Sequence, residues 1–425
     1  MVKVRKKMRV ELPYGHERRT LEIDERRLIG VFSPEDAEAV KDVEAEVFRS
    51  LDNPIGLGSL RSIVRRGRKV AIAVDDNTRV TPVRSFLPPL LKHFNLQRKD
   101  VVVIVALGTH RKMTDREMQE KYGPEIIEEY EVINHAFDEK DQLKMVGKLP
   151  NGVPVWVNRE FVNADVKIST GNIIPHFTSG WSAGSKTLLP GLAGEETVDW
   201  MHYIGAMDLP NALGEVENSS REVMDAFAKE VRLSFIVNTV LNRSERIVRI
   251  FSGDFVKAHR EGIELSKKIY SVNVPERSDI TMVSSYPADI EFWQAEKGLY
   301  SADKVTRKGG GILLLTPCPE GICVTHKEWE ELLQYDSETL VDMIKNGRSK
   351  NLTAASLALC VVKTREPYEV CIVSDGISDE MAAKLHFKRV SSLDEGLEYL
   401  SKRLGNDSRV SVLTHGGDTC PMLEK

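Results

Sequence analysis

Hydrophobic and polar positions divide this chain into two stretches in which short apolar runs alternate with helical patterns. RKVAIAVDD (68–76) and KDVVVIVALGTH (99–110) are unbroken and rich in Val and Ile, as expected of strands buried on both faces of a parallel sheet. Between them, VRSFLPPLLKHF has the spacing of a crossover helix, and residues 34–51 carry helix chemistry, with Ser33 or Pro34 at the start and acids in the first turn. VPVWVNREFVNADVKISTG holds further strand, RLSFIVNTVLNRSERIVRIFSGD (232–254) reads as a hairpin, and FVKAHREGIELSKKIY reads as a helix. Past residue 275 come four more apolar runs, DITMVSSYP, GGGILLLTPCPEG, YEVCIVSDG and SRVSVLTHGG, each ending in polar residues or glycine. The basic start, MVKVRKKMRVELPYG, alternates apolar and polar positions and reads as a first strand, not as a signal peptide.

This pattern predicts an α/β fold of two lobes, with mainly parallel sheets facing a central cleft. The seam is expected in SVNVPERSD, giving a domain over 1–274 and a second, Rossmann-like one over 275–425. A chain of 425 residues exceeds what one core holds, which is roughly 250–300 residues.

Composition narrows the function classes. With 41% hydrophobic and 29% charged residues the chain is of ordinary globular type, and a net charge of -5 gives no electrostatic case for nucleic acid or an anionic membrane. No stretch is long and apolar enough to span a bilayer. Cys318, Cys323, Cys360, Cys371 and Cys420 are odd in number, which suits reduced thiols and a cytoplasmic setting.

Candidate chemistry lies beyond strand ends, where open α/β sheets bind ligands. Two such loops are DDNTRVTP (75–82) and ALGTHRKMT (106–114). In the first, Asp75, Asp76 and Arg79 form either a turn capped by Asn77 or a carboxylate clamp. The segment 171–202 lacks strand or helix periodicity and gathers His176, Lys186 and His202 among Gly180, Gly184, Gly191 and Gly194, which permit positive φ and close approach of a ligand. Within it, GWSAGSKT imitates a phosphate loop but has Ser185 where that motif needs glycine, so a tight connection with a solvated Lys186 stays open.

His110, His176 and His202 stand out by context, with His415 as a residual candidate; His16, His93, His135, His259, His326 and His386 read as surface histidines. Cys318 and Cys323, in PCPEGIC, read as buried thiols flanking a glycine turn. In FWQAEKGLY, Gln294 and Lys297 fall on one face of a helix that Phe292, Trp293 and Leu299 make amphipathic.

In order and spacing, DDNTR, ALGTHRKMT, PHFTSGWSAGSKTLLPG with a histidine sixteen residues after its lysine, and QAEK together resemble the nickel-dependent lactate racemases and their 2-hydroxyacid racemase and epimerase homologues. The resemblance implies a nickel-pincer nucleotide (nickel pyridinium-3,5-bisthiocarboxylic acid mononucleotide) attached covalently to Lys186, with Gly180 and Gly184 close to it and His202 as the protein ligand of nickel. It implies that His110 and His176 are the acid/base pair and that Arg79 and Lys297, helped by Gln294 and Asp76, hold the substrate. The implied reaction inverts C2 of a 2-hydroxy acid by hydride transfer through a 2-keto acid, with cofactor-biosynthesis and nickel-insertion proteins as partners.

Lys112 stands where the family has proline, and 182–185 is poorer in glycine than expected, which leaves the acid open among lactate, malate, longer aliphatic acids and sugar acids. Two other readings compete: a phosphotransferase using Lys186 on a nucleotide, and a non-catalytic nickel or nucleotide binder on the same scaffold.

Overall fold

The computed structural model describes residues 6–149 and 152–424. The chain forms two compact units: Glu35–Ile269, and the residues up to Pro34 together with Tyr270 onward. The seam expected at 274/275 and the observed boundary at 269/270 are close, but the described residues up to Pro34 belong with the C-terminal unit rather than with 1–274. The reason is strand pairing. Leu28–Phe32 adds to the C-terminal unit's sheet beside Val410–Leu413, and such a long-range partner leaves no trace in local periodicity.

In the unit 35–269, six strands run in the order Ile247–Gly253, Phe235–Leu241, Val166–Asn172, Val70–Val74, Val101–Val105, Glu131–Asn134. All neighbours are parallel except the first pair, the expected hairpin, whose ladder carries a bulge at Val240/Leu241. The pleat sorts side chains between two cores. Val70, Ile72, Val74, Val101, Val103 and Val105 pack with Phe86, Leu87 and Leu90 on one face. Ala71 and Ala73 pack with Leu188, Leu189, Leu192 and Phe227 on the other. Each large side chain so buried contributes roughly 1.5–3 kcal/mol, while the alanines leave room for the glycine-bearing segment to lie against the sheet.

Chain order around Val70–Val74 positions the site. The next two strands in sequence extend the sheet on one side of it, and Val166–Asn172 opens the other side. The topological switch point therefore falls between Val70–Val74 and Val166–Asn172, and the crevice beyond their carboxyl ends is where such sheets bind ligands. Both strands deliver sequence candidates there: Asp75 to Arg79 from one, and the segment leading to Lys186 from the other.

The helix expected over 34–51 is a correction. It spans Val43–Asp52, with Asp42 as its N-cap accepting from the Ala45 N–H at 3.0 Å. Residues 35–40 stay out of it because their amides are bonded elsewhere, Glu35 to the Ile269 carbonyl and Val40 to that of Ile247. Two acids and a proline near a serine imitate a helix start, but long-range backbone bonds outweigh that local preference.

In the other unit, six parallel strands run in the order Lys388–Arg389, Glu369–Val373, Thr306–Leu315, Ser278–Ser284, Val410–Leu413, Leu28–Phe32. The four apolar runs read from the sequence are its centre. The hairpin Lys7–Tyr14/Glu17–Asp24 covers this sheet with Val10, Leu12, Tyr14, Leu21 and Ile23, packed among Ile280, Met282 and Leu313. Met1 to Arg5 of the expected first strand lie outside the described residues. The expected α/β class with mainly parallel sheets is borne out.

Candidate active site

The loop after Val70–Val74 turns sharply because Asp76 accepts from its own neighbours: its Oδ1 receives the Thr78 N–H at 3.1 Å and the Thr78 hydroxyl at 2.6 Å. Its Oδ2 meets Nδ1 of His110, from the loop after Val101–Val105, at 2.7 Å. Asp76 is 3% exposed, and burial alone would raise its pKa. The charges and hydrogen bonds of His110, Arg79 and Thr78 outweigh burial and hold the carboxyl well below the usual carboxylate range. An ionised Asp76 only accepts, so Nδ1 of His110 carries the proton of that contact.

Neighbouring Asp75 has the opposite balance. Burial raises its pKa, against the Thr81 hydroxyl that donates to it at 2.5 Å and the charge of Arg79. Arg79 is placed by its own Nη1, which donates to the Thr78 hydroxyl at 2.9 Å, and by Lys121, whose Nζ donates to its carbonyl. The Tyr122 hydroxyl holds the Asp75 carbonyl at 2.9 Å.

The segment after Val166–Asn172 folds back through a two-residue ladder, Pro175–His176 against Gly180–Trp181. His176, 6% exposed, stacks on Phe177 at 5.1 Å between ring centroids. Its Nδ1 accepts the Thr178 N–H at 3.2 Å, so the neutral ring carries its proton on Nε2. The two candidate acid/base histidines thus differ at Nδ1: that of His110 donates to Asp76, and that of His176 accepts from Thr178.

Lys186 lies in the 3-10 turn Gly184–Thr187. Burial, with the cations of Arg79 and Arg221, lowers its amine to about 7 against the pull of Asp75 and Asp76. A lysine near neutrality at physiological pH is a nucleophile. The turn that holds Lys186 lies against Asp75, since a Cβ at Gly171 would be 3.1 Å from Thr187 Oγ1 and 3.3 Å from Asp75 Oδ2, and its amine feels the charges of Asp75, Asp76 and Arg79. His202 lies on the helix Glu195–Asp208, on the buried stripe with Val198, Met201 and Gly205, and is 9% exposed.

No phosphate loop forms. That motif passes from strand through loop into an α-helix at its lysine, whereas here a four-residue turn holds Lys186 and the Gly184 N–H is already committed to Asn238 Oδ1 at 3.0 Å.

Among the glycines, Gly180 and Gly184 have positive φ, of 70° and 62°. Gly191 and Gly194 do not. They are needed for want of space, since a Cβ at Gly191 would lie 2.1 Å from the Thr187 carbonyl oxygen and one at Gly194 2.8 Å from Trp156 Cβ. Gly180 meets both demands, its Cβ position being 1.6 Å from the Glu215 oxygen.

Three residues escaped the sequence reading. Arg221, with no exposure, donates to the carbonyls of Ser179, Trp181 and Ala183 and to the Ser185 hydroxyl, and so templates the whole segment. Asp225 receives Ser185 Oγ at 2.5 Å. His259 donates from Nε2 to the Ser182 carbonyl at 2.7 Å. Helical spacing carried a signal for two of them: Arg221 repeats with Met224, Ala228 and Val231, and His259 with Gly262, Ile263 and Ser266, each on a buried stripe.

Four of the six histidines read as surface residues are buried: His93, His135, His259 and His326. His135, His259 and His326 have hydrogen-bond partners, and His93 packs against the rings of Phe48 and Phe94. His135, for example, has Nε2 3.0 Å from the Ala193 carbonyl, and burial lowers its pKa to about 4.

Gln294 and Lys297 lie in the other unit, and their expected amphipathic helix is a correction. The chain forms two short helices, Phe292–Ala295 and Lys297–Val305, joined at Glu296, and every residue from Phe292 to Ala302 is buried. The two side chains nevertheless meet, Lys297 Nζ donating to Gln294 Oε1 at 2.6 Å. Cys318 and Cys323 are buried free thiols as expected, and burial raises the pKa of each.

Among the described residues no three His, Cys, Asp or Glu side chains gather as a metal cage, and no helix is long and apolar enough to cross a membrane. A metal at His202 would thus take its remaining donors from a bound group. A near-neutral Lys186 beside the switch point fits covalent attachment of such a group.

Comparison with known proteins covers both units. Residues 14–214 match the family described as lactate racemase N-terminal domain, and residues 274–418 the lactate racemase C-terminal domain. The lactate racemase of Thermoanaerobacterium thermosaccharolyticum is 28% identical over 420 residues, spanning 96% of this chain and 97% of that protein. That of Lactiplantibacillus plantarum is 29% identical over 420 residues, spanning 96% and 98%. The lactate racemase apoprotein structure from T. thermosaccharolyticum aligns with a TM-score of 0.88 at 27% identity, covering 98% of this chain and 100% of that one. A Thermotoga maritima protein, at a TM-score of 0.71 and 22% identity over 90% of this chain and 98% of its own, shares the fold.

Proposed function

The chain belongs to the lactate racemase family, and from that premise we propose that it inverts C2 of a 2-hydroxy acid by removing and returning the C2 hydrogen as hydride. It is an isomerase of that family. The observation that carries the reading is the contact of the buried Asp76 with the partly exposed His110 at the mouth of the switch point, with a near-neutral Lys186 in the same crevice.

The residues fit a nickel-pincer nucleotide, for which Lys186 would be the covalent tether and His202 the protein's donor to nickel. When bound, the group supplies the acceptor and donor of the C2 hydride. Gly180 and Gly184 are assigned the task of shaping the segment around it. His110 takes the C2 hydroxyl proton at Nε2 while Asp76 stabilises the resulting imidazolium. Loss of hydride from C2 and of the proton from oxygen leaves a planar 2-keto acid, whose two faces are equivalent targets for hydride return. His176, presenting a proton at Nε2, serves the opposite face.

Arg79 is proposed to grip the substrate carboxylate, as a charged fork held by its own loop. For Gln294 and Lys297 the proposal is a buried amide–ammonium pair that binds a carboxylate. Five buried free cysteines support a reducing, cytoplasmic setting. Cofactor-biosynthesis and nickel-insertion proteins are the proposed partners.

The test is chain purified from cells that make the cofactor, assayed with D- and L-hydroxyacids by chiral chromatography and by intact mass. We expect interconversion of enantiomers and an adduct that Lys186→Ala abolishes. Activity without any adduct would overturn the tether, and no interconversion across lactate, malate, longer aliphatic and sugar acids would overturn the reaction.

A further inference from the structure

The helix Asp115–Tyr122 begins with a capping box, in which the Thr114 hydroxyl accepts the Glu117 N–H at 3.2 Å and Glu117 Oε2 accepts the Thr114 N–H at 2.8 Å. A capping box needs only one carboxylate oxygen. Here both are used. Oε1 receives Asn77 Nδ2 at 3.0 Å and Arg111 Nη2 at 2.7 Å, and Oε2 also receives Arg111 Nη1 at 2.9 Å.

Asn77 follows Asp76 in one loop, and Arg111 follows His110 in the other. A single carboxylate therefore bonds the residue next to each member of the Asp76–His110 pair. Two further bonds from the same helix, Lys121 to the Arg79 carbonyl and Tyr122 to the Asp75 carbonyl, keep the helix on the first loop.

We propose that Glu117 is a positioning residue for the reaction: by joining the loops 75–82 and 106–114 it sets the Asp76–His110 contact. The proposal rests on the racemase reading only for its catalytic consequence. The bidentate fork of Arg111 gives the contact direction as well as strength, and it lowers the Glu117 pKa to about 2, so the link is charged wherever the enzyme works.

The test begins with apoprotein labelled with 15N-histidine. There the Nδ1 proton of His110, held against Asp76, gives a downfield resonance that Asp76→Asn removes. Glu117→Ala is expected to broaden or lose that resonance and, in the cofactor-loaded enzyme, to lower kcat about 10- to 100-fold with KM changed less than about 3-fold. Glu117→Gln, which keeps an acceptor oxygen, should restore part of both.

Thr114→Ala removes the cap hydroxyl of the same helix, which also donates to Glu117 Oε2 at 3.0 Å, but leaves the Glu117 bonds to Asn77 and Arg111 in place, and should keep the resonance and kcat. If Glu117→Ala leaves the resonance unchanged, or if Thr114→Ala loses it equally, Glu117 is only a helix cap and the proposal falls. Wild-type apoprotein that shows the Glu117-dependent resonance, yet interconverts no hydroxyacid once loaded, would overturn the racemase reading and uphold this one.

Discussion

Asp75 and Asp76 are adjacent carboxylates in opposite environments. Burial raises the first, while His110, Arg79 and Thr78 overrule burial at the second. The asymmetry predicts unequal mutants. Asp76→Asn should lower kcat about 10²- to 10⁴-fold by removing the carboxylate that orients His110, whereas Asp75→Asn, which keeps an acceptor for Thr81, should cost far less; chiral assays of both variants decide. Lys186 makes a second prediction at this scale. Its pKa of about 7 lies below the ordinary 10.5, so its neutral fraction rises as pH passes 7. Amine-directed labelling of Lys186 in the apoprotein, followed by mass spectrometry, should reach half its maximum near pH 7; a midpoint near 10 would contradict the burial argument. His110, Asp76 and Lys186 were legible in the sequence because strand ends in an α/β pattern are places where polar residues need a reason. Arg221 was not singled out: its spacing puts it on the buried stripe of its helix, but the carbonyls it serves belong to a distant segment that the spacing does not reveal.

Secondary-structure elements contribute by how they hold loops. The glycine-bearing segment has almost no regular structure of its own, and Arg221 on the helix Ser219–Val231 supplies the donors that its carbonyls lack. Arg221→Ala should therefore leave buried carbonyls unpaired at about 1–3 kcal/mol, measured as a lower denaturation midpoint. Gly180→Ala combines a positive φ with overlap against the Glu215 carbonyl, and should destabilise by at least about 1–3 kcal/mol; an unchanged midpoint would show that the segment relaxes freely. The helix Asp115–Tyr122 adds a pH dependence. Glu117 lies below its ordinary value of 4.5 in the folded chain, so its contribution to stability is complete above about 4.5 and is lost as pH falls toward about 2. Glu117→Gln should flatten that part of the acid denaturation curve.

At the scale of the whole molecule, the unit Glu35–Ile269 is one uninterrupted stretch, while its companion is assembled from both ends of the chain. Residues 35–269 expressed alone should give a cooperative thermal transition. Residues 275–425 alone should not, because they lack the strand Leu28–Phe32 and the hairpin that supplies Val10, Leu12, Tyr14, Leu21 and Ile23 to the core; far-UV circular dichroism with heating separates the outcomes. Sequence by itself determined the α/β class, the main strands and the loops that carry Asp76, Arg79, His110, His176 and Lys186, because burial on a parallel sheet demands continuous apolar runs and forces polar chemistry to their ends. Tertiary structure alone decided that residues 35–40 stay out of a helix, that Leu28–Phe32 joins the C-terminal sheet with the hairpin Lys7–Tyr14/Glu17–Asp24 packed on it, that Gln294 and Lys297 are buried, and that Arg221, His259 and Glu117 hold the site. Each of these depends on a partner far away in the chain, and local periodicity records which face of an element is buried but not what it is buried against.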